Sequence, residues 1–196
     1  MRKNIVSWLC VVLVAAVVGL HATPAQAEET SDWNGMKKDA KRAKLNEMAD
    51  EALQELFARN DKAKGLFDQS YGWAVFDNMK IAFGFSGGGG NGVAVSKDSG
   101  SRTYMKMGTV GVGFGLGGKK YQIVFLFQDQ KTFTSFVEKG WQADAAAQAV
   151  AGTAGAEVQS GFTNGLAIYV LTDKGLMASA DIAGTKYWKN KKLNGK

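Results

Sequence analysis

Thr109-Val110-Gly111-Val112-Gly113-Phe114-Gly115-Leu116-Gly117 sorts its residues by parity. Val110, Val112, Phe114 and Leu116 fall on one side, and Thr109, Gly111, Gly113, Gly115 and Gly117 on the other. Side chains on a β-strand alternate between faces, so the stretch reads as a strand with one bulky face and one nearly bare face. Glycine weakens a strand interior, because it adds chain entropy and offers nothing to pack. A row of glycines therefore implies that something lies close against the backbone: another part of the fold, a lipid or a partner.

The same parity recurs on either side. Ile81, Phe83 and Phe85 alternate with Ala82, Gly84 and Ser86, and Ala143, Ala145, Ala147, Ala149 and Ala151 share one parity. Neighbouring strands of this kind would join their small faces into one close-packed surface or one shallow groove. Gly111, Gly113, Gly115 and Gly117 are the candidate groove; close packing inside the sheet is the default.

The glycines also imitate nucleotide motifs. Gly113-x-Gly115-x-x-Gly118 matches a dinucleotide fingerprint, and Gly113-x4-Gly118-Lys119-Lys120 nearly matches a phosphate loop. Both require a helix directly after the glycines, whose N-terminus meets the phosphates. Here Lys119-Lys120-Tyr121-Gln122-Ile123-Val124-Phe125 continues as strand, and position 120 lacks the hydroxyl that would reach magnesium. An outer-membrane barrel is disfavoured on strand length, since such strands need roughly 9–11 residues.

Further out, the chain begins like a secretory leader: Arg2 and Lys3, an apolar run over 5–20, and Ala25-Gln26-Ala27 as a small-x-small cleavage site. The expected product starts at Glu28 and is exported, periplasmic and peripherally membrane-associated. The single cysteine, histidine and proline (Cys10, His21 and Pro24) all precede that site. The mature chain thus lacks the groups for histidine triads, cysteine nucleophiles, disulfides and Cys/His zinc sites. No paired carboxylates and no Asp-rich calcium loop stand out, so the reading is non-enzymatic, with no metal and no cofactor. The formal charge is +6, of which Arg2 and Lys3 leave with the leader. That is mild attraction to anionic surfaces, short of a nucleic-acid binder.

Residues 28–35 read as polar and flexible, and 36–58 as an amphipathic helix. Leu45, Met48, Ala49, Ala52, Leu53 and Leu56 share one stripe at helical spacing. Lys38, Lys41 and Arg42 project onto the same stripe one or two turns earlier. The stripe is expected to dock on the domain, and the basic start to snorkel toward lipid headgroups. A short helix is expected over 62–67, strands over 73–76, 81–86 and 93–96, and a turn over 87–92. Strands over 103–116 and 121–127 follow, then a helix over 129–139 with Thr132 as N-cap and Gly140 as stop. Residues 143–158 are balanced between helix and strand. A hairpin is expected over 165–182, around Thr172-Asp173-Lys174-Gly175, and a fraying tail beyond Lys186.

These motifs in this order resemble the SYLF domain, over the run Ala63 to Tyr187. The resemblance is carried by Lys64-Gly65-Leu66, the Gly84/Gly87/Gly88 stretch and Gly92-Val93-Ala94-Val95. It continues through the Gly111 to Gly117 strand, Gln122-Ile123-Val124-Phe125-Leu126, Phe136 through Gly140-Trp141, and Lys174-Gly175-Leu176-Met177-Ala178 with Gly184-Thr185-Lys186. Asp77-Asn78 departs from the family, which often has a proline there. The resemblance implies a non-catalytic domain that binds lipids, with actin binding in some members, and it favours strand over 143–158.

The expected fold is α+β: an N-terminal amphipathic helix, a glycine-rich, mostly antiparallel sheet curled into a barrel-like form, and a short helix near residue 135. Its expected parts are a signal peptide (1–27), a polar segment and helix (28–60), a SYLF-like core (61–188) and a basic tail (189–196). The expected partner is anionic lipid or a membrane surface, held by Lys37, Lys38, Lys41, Arg42 and Lys44. Lys119 and Lys120 form a second patch. The alternative is an envelope adaptor that binds a protein through its sheet. Nucleic acid is not expected.

Overall fold

The structure, a computed structural model, describes residues 24–143, 161–172, 175–176 and 184–195, with the side chains of 24–32, 82–86 and 111–116 excepted. The chain divides at Met36/Lys37 into two compact units. The first holds the opening of helix α1 (Pro24–Arg59), which therefore starts before the segment expected to be flexible. Everything below concerns the second unit.

Helix α2 (Asp61–Gln69) follows α1 after a one-residue break at Asn60, whose side chain accepts from the Ala63 N–H. Strands β1 (Gly72–Ser96) and β2 (Arg102–Phe127) form one long antiparallel ribbon. Helix α3 (Gln130–Lys139) is capped by Asp129 rather than Thr132. The Asp129 carboxylate accepts the Thr132 N–H at 2.8 Å, and that bond, with lesser help from the Thr132 hydroxyl and Lys131, holds its pKa below the ordinary value. Then come β3 (Trp141–Gln142), β4 (Leu166–Thr172), β5 (Gly175–Leu176), β6 (Thr185–Lys189) and helix α4 (Lys191–Asn194).

All strand pairs are antiparallel, in the order β3-β6-β2-β4-β5, with β1 also on β2. The expected hairpin is present in the pairs Leu171↔Leu176 and Thr172↔Gly175. Residues 144–160, which hold nearly all of the stretch balanced between helix and strand, and 177–183, in the expected second strand of the hairpin, lie outside the described residues.

Alternation divides the core into two layers. The outer face of the sheet carries Trp73, Val75, Val93, Val95, Tyr104, Val124 and Leu126 against Leu45, Ala49, Ala52, Leu53 and Leu56 of α1 and Ala63 and Leu66 of α2. The helical stripe thus docks on the domain as its spacing predicts. The inner face carries Ala74, Phe76, Ala94, Met105, Met107, Ile123, Phe125 and Phe127 against Phe133, Phe136 and Val137 of α3. Phe76, Phe125, Phe136, Trp141 and Tyr187 form a cluster of edge-on and tilted rings there, with Phe125 and Tyr187 rings edge-on and 5.1 Å apart.

Residues 87–92 are not a turn: they lie inside β1. The ribbon instead folds at a bulge. Phe83 pairs with Leu116 but Phe85 pairs with Val112, so Gly84 alone opposes Gly113, Phe114 and Gly115. A bulge bends its strand and raises its twist, and glycine adapts to that backbone most readily. Beyond it, β1 returns along its own first half. A Cβ placed on Gly88 would sit 2.7 Å from the Met79 carbonyl oxygen; one on Gly90 would strike the Asp77 carbonyl, and one on Gly92 that of Val75. At the far end the Lys97 N–H donates to the Tyr71 carbonyl at 3.0 Å. The two halves of β1 thus lie pressed together along their length. The partner of this row of glycines is the protein's own backbone, and the sheet curls.

The tail does not fray. Lys186 and Trp188 alternate with buried Thr185 and Tyr187 in β6, and Leu193 of α4 is buried on the outer face. Beyond β6 the ladder continues through side chains. Asn194 exchanges two bonds with the Tyr104 backbone, Nδ2 donating to its oxygen at 2.6 Å and Oδ1 accepting from its N–H at 2.9 Å.

Candidate membrane-facing site

The expected basic site at the start of α1 divides in two. The Arg42 Nε and Nη2 donate to the Leu193 carbonyl at 2.9 and 2.6 Å, and Nη1 pairs with Asp39 at 2.9 Å. Its guanidinium also lies 5.7 Å from the centre of the Tyr104 ring. Lys38 Nζ donates to the Gly195 carbonyl at 3.2 Å. The stripe that carries Lys38 and Arg42 faces the domain, so these two cations meet the carbonyls that end α4. Lys37, Lys41 and Lys44 are exposed. The helix start therefore presents part of its charge outward and sets Lys38 and Arg42 against the carbonyls of Gly195 and Leu193 at α4.

Lys119 and Lys120 stand elsewhere, on exposed β2 near the fold of the ribbon. The strand continues through them to Phe127, so the glycines before them do not open a helix. Gly117 has φ +146°, where side chains rarely fit, and the space beside it is open. The side chains of 111–116, and with them the faces of Gly111, Gly113 and Gly115, lie outside the description. Lys120 is directly opposite Met79, and Lys119 directly opposite Lys80.

Apolar side chains missed by the sequence reading surround this region. Past the cover of α1 and α2, the outer face of the sheet exposes Met79 and Ile81 in the first half of β1. Val110 of β2 is 75% exposed, and Trp188 of β6 is 44% exposed. Gly108 forms a seat for Trp188, whose indole would lie 3.1 Å from a Cβ there. Gly87 and Gly89 pair with Val110 and Gly108 and are exposed too. Lys106 is directly opposite Trp188, Lys186 directly opposite Gly108, and Asp77 shares the face. Exposed large apolar residues that gather beside lysines mark an interaction surface. Alternation had assigned Ile81 and Val110 to bulky faces, but only the extent of the helices reveals that these faces run on beyond their cover.

The inner face carries a second polar group of residues at the same end. Asn78 is 1% exposed, and neither its amide nitrogen nor its oxygen has a hydrogen-bond partner. Thr185 Oγ1 and the Tyr187 hydroxyl are likewise buried without partners. Burial, together with the charge of nearby Tyr121, pushes the Tyr187 pKa well above its ordinary value. Leaving a buried polar group unpaired costs about 1–3 kcal/mol. Among the described residues no group of three or more His, Cys, Asp or Glu could hold a metal, and no helix is long and apolar enough to cross a membrane.

Residues 108–196 match the family model described as Ysc84, Las17-binding protein actin regulator. The chain is 46% identical over 158 residues to beta cell expansion factor A of Aeromonas veronii, a match over 80% of this chain and 60% of that protein. The chain thus spans about 60% of the length of the curated relative it matches. Residues 108–196 thus carry a Ysc84 (SYLF) domain, and that family is one of binding domains.

Proposed function

We propose that this SYLF-family chain is an exported, non-enzymatic protein that attaches peripherally to anionic membrane surfaces through the helix-free end of its sheet. The observation that carries the reading is the exposure of Met79, Ile81, Val110 and Trp188 on one end of the outer face, beside Lys106, Lys120 and Lys186. Apolar side chains with lysines at their margin suit the boundary between headgroups and acyl chains. Each lysine near an anionic surface contributes about 1 kcal/mol. Three or four such contacts give weak, reversible attachment that salt screens. Lys37, Lys41 and Lys44 add a second, purely electrostatic contact, and export rests on the leader-like pattern of residues 1–27.

Sedimentation with liposomes of graded phosphatidylglycerol content tests this. Binding is expected to rise with anionic lipid, to fall with salt and to drop when Met79, Ile81 and Trp188 are changed together to serine. Binding indifferent to lipid charge and to these changes would overturn it. The family description names a protein partner, which favours an adaptor as the second reading. Capture of one defined envelope protein in the absence of lipid would support that rival.

A further inference from the structure

The solvent side of α1 carries its charge in two blocks. Away from the apolar stripe that docks on the sheet, Lys41, Lys44, Glu47 and Glu51 are all exposed, the lysines preceding the glutamates. Ala40, Lys44, Glu47 and Glu51 follow at steps of four, three and four, so they line one seam along the helix. This order is unfavourable for a helix standing alone. Lys41 and Lys44 are like charges one turn apart, as are Glu47 and Glu51, and such pairs repel. Acidic groups also suit the start of a helix better than its later turns. On either side of the seam α1 pairs its charges locally, Arg42 with Asp39 and Arg59 with Glu55, each at 2.9 Å. Among the described residues, none of Lys41, Lys44, Glu47 and Glu51 makes an ion pair or a side-chain hydrogen bond.

A second α1 laid antiparallel on the first complements both blocks at once. With a two-fold axis between residues 45 and 46, Lys44 of one copy faces Glu47 of the other. Ala40 then faces Glu51, and Lys41, one residue along, reaches the same carboxylate. Each contact occurs twice by symmetry, as an isologous interface requires. Ala40 and Ala43 are exposed and small, which lets the second helix approach closely. A parallel arrangement would set like charges together, and a flat anionic surface matches the basic block alone. We propose that the solvent face of α1 joins two copies of this chain as an antiparallel pair. Exposed ion pairs are individually weak, so the pair forms at high protein concentration and is sensitive to salt. The membrane reading rests on Met79, Ile81, Val110 and Trp188 of the sheet, none of which lies on this face.

The test is analytical ultracentrifugation of the full chain without lipid, with Cys10→Ser to prevent disulfide pairing. In about 20 mM salt a dimer is expected with a Kd of about 100 μM, weakened at least about tenfold in about 500 mM salt. The reversals Lys41→Glu/Lys44→Glu and Glu47→Lys/Glu51→Lys are each expected to raise the Kd at least about tenfold. An equimolar mixture of the two variants is expected to pair at least as tightly as the parent, because an acidic face then meets a basic one. All four side chains are exposed, so neither reversal threatens the fold, and recovery in the mixture shows that both variants are folded. The triple serine variant of the sheet is expected to pair as the parent does, which separates failure here from failure of the membrane reading. A parent chain that stays monomeric up to about 1 mM, reversals that leave the dimer intact, or a mixture that fails to restore it would overturn the pair.

Discussion

The start of α1 and the fold of the ribbon are both basic, yet they use their charge in different ways. On α1, Arg42 and Lys38 point along the apolar stripe into the domain and hold the carbonyls of Leu193 and Gly195. At the fold of the ribbon, Lys106, Lys120 and Lys186 flank exposed Val110, Met79 and Trp188. A cation beside its own chain's carbonyls contributes to stability, whereas one beside bare apolar surface is available to a partner. Charge alone therefore does not distinguish the two; what lies on the same face does.

The largest expected effect removes one side of this comparison altogether. Gly90→Val drives a branched side chain into the Asp77 carbonyl, where even a Cβ collides. A loss of about 5 kcal/mol, comparable with the whole stability of a small domain, is expected, read as failure to give a cooperative thermal transition. A folded Gly90→Val protein would show that the edges of β1 do not close. Next in size, Arg42→Ala removes two bonds to Leu193 and the pair with Asp39. About 2 kcal/mol is expected from urea denaturation, with faster amide exchange in 190–195 and liposome binding little changed.

The fold was legible wherever periodicity alone decides. The stripe of α1, the short α2 and α3, strand character over 103–116 and 121–127 (one continuous β2 in the structure) and the first pairs of the hairpin follow from spacing. What failed depends on contacts distant in sequence. Gly87 to Gly92 has the composition of a turn, but its even-numbered glycines are required by Val75, Asp77 and Met79, which the sequence does not reveal as neighbours. The lysines after Lys186 suggest a solvated tail, while Tyr187 and Leu193 between them fill the two core layers. Spacing places Arg42 on the side of the apolar stripe, but its acceptor, the Leu193 carbonyl, lies 151 residues away. Asn78, first visible as a substitute for proline, gained meaning only through its burial.

The interior that both regions share is tested by alkali. Tyr169 is buried, and burial pushes its pKa up to about 12; that of Tyr187 rises as well. A phenol whose folded pKa is raised keeps its full stabilisation below the unfolded value near 10 and loses it as pH climbs toward the folded value. Stability is therefore expected to be flat in this respect below pH ~10 and to fall above it by about 1.4 kcal/mol per pH unit for each such tyrosine. Tyr169→Phe should reduce that slope in urea titrations between about pH 10 and 12. The smallest effect belongs to the outward glycine row. Gly87 has open space around it, so Gly87→Ala is expected to change stability by less than about 0.5 kcal/mol, in contrast to Gly90.

The comparison itself is decided by which region enters the membrane. With the lone Cys10 replaced, Ile81→Cys and Lys41→Cys each accept an environment-sensitive fluorophore at an exposed site, one at the fold of the ribbon and one on α1. On addition of phosphatidylglycerol liposomes, the label at position 81 is expected to shift to the blue and brighten, while that at position 41 stays close to its emission in water. A blue shift at 41 with none at 81 would contradict the account and return the membrane contact to the helix.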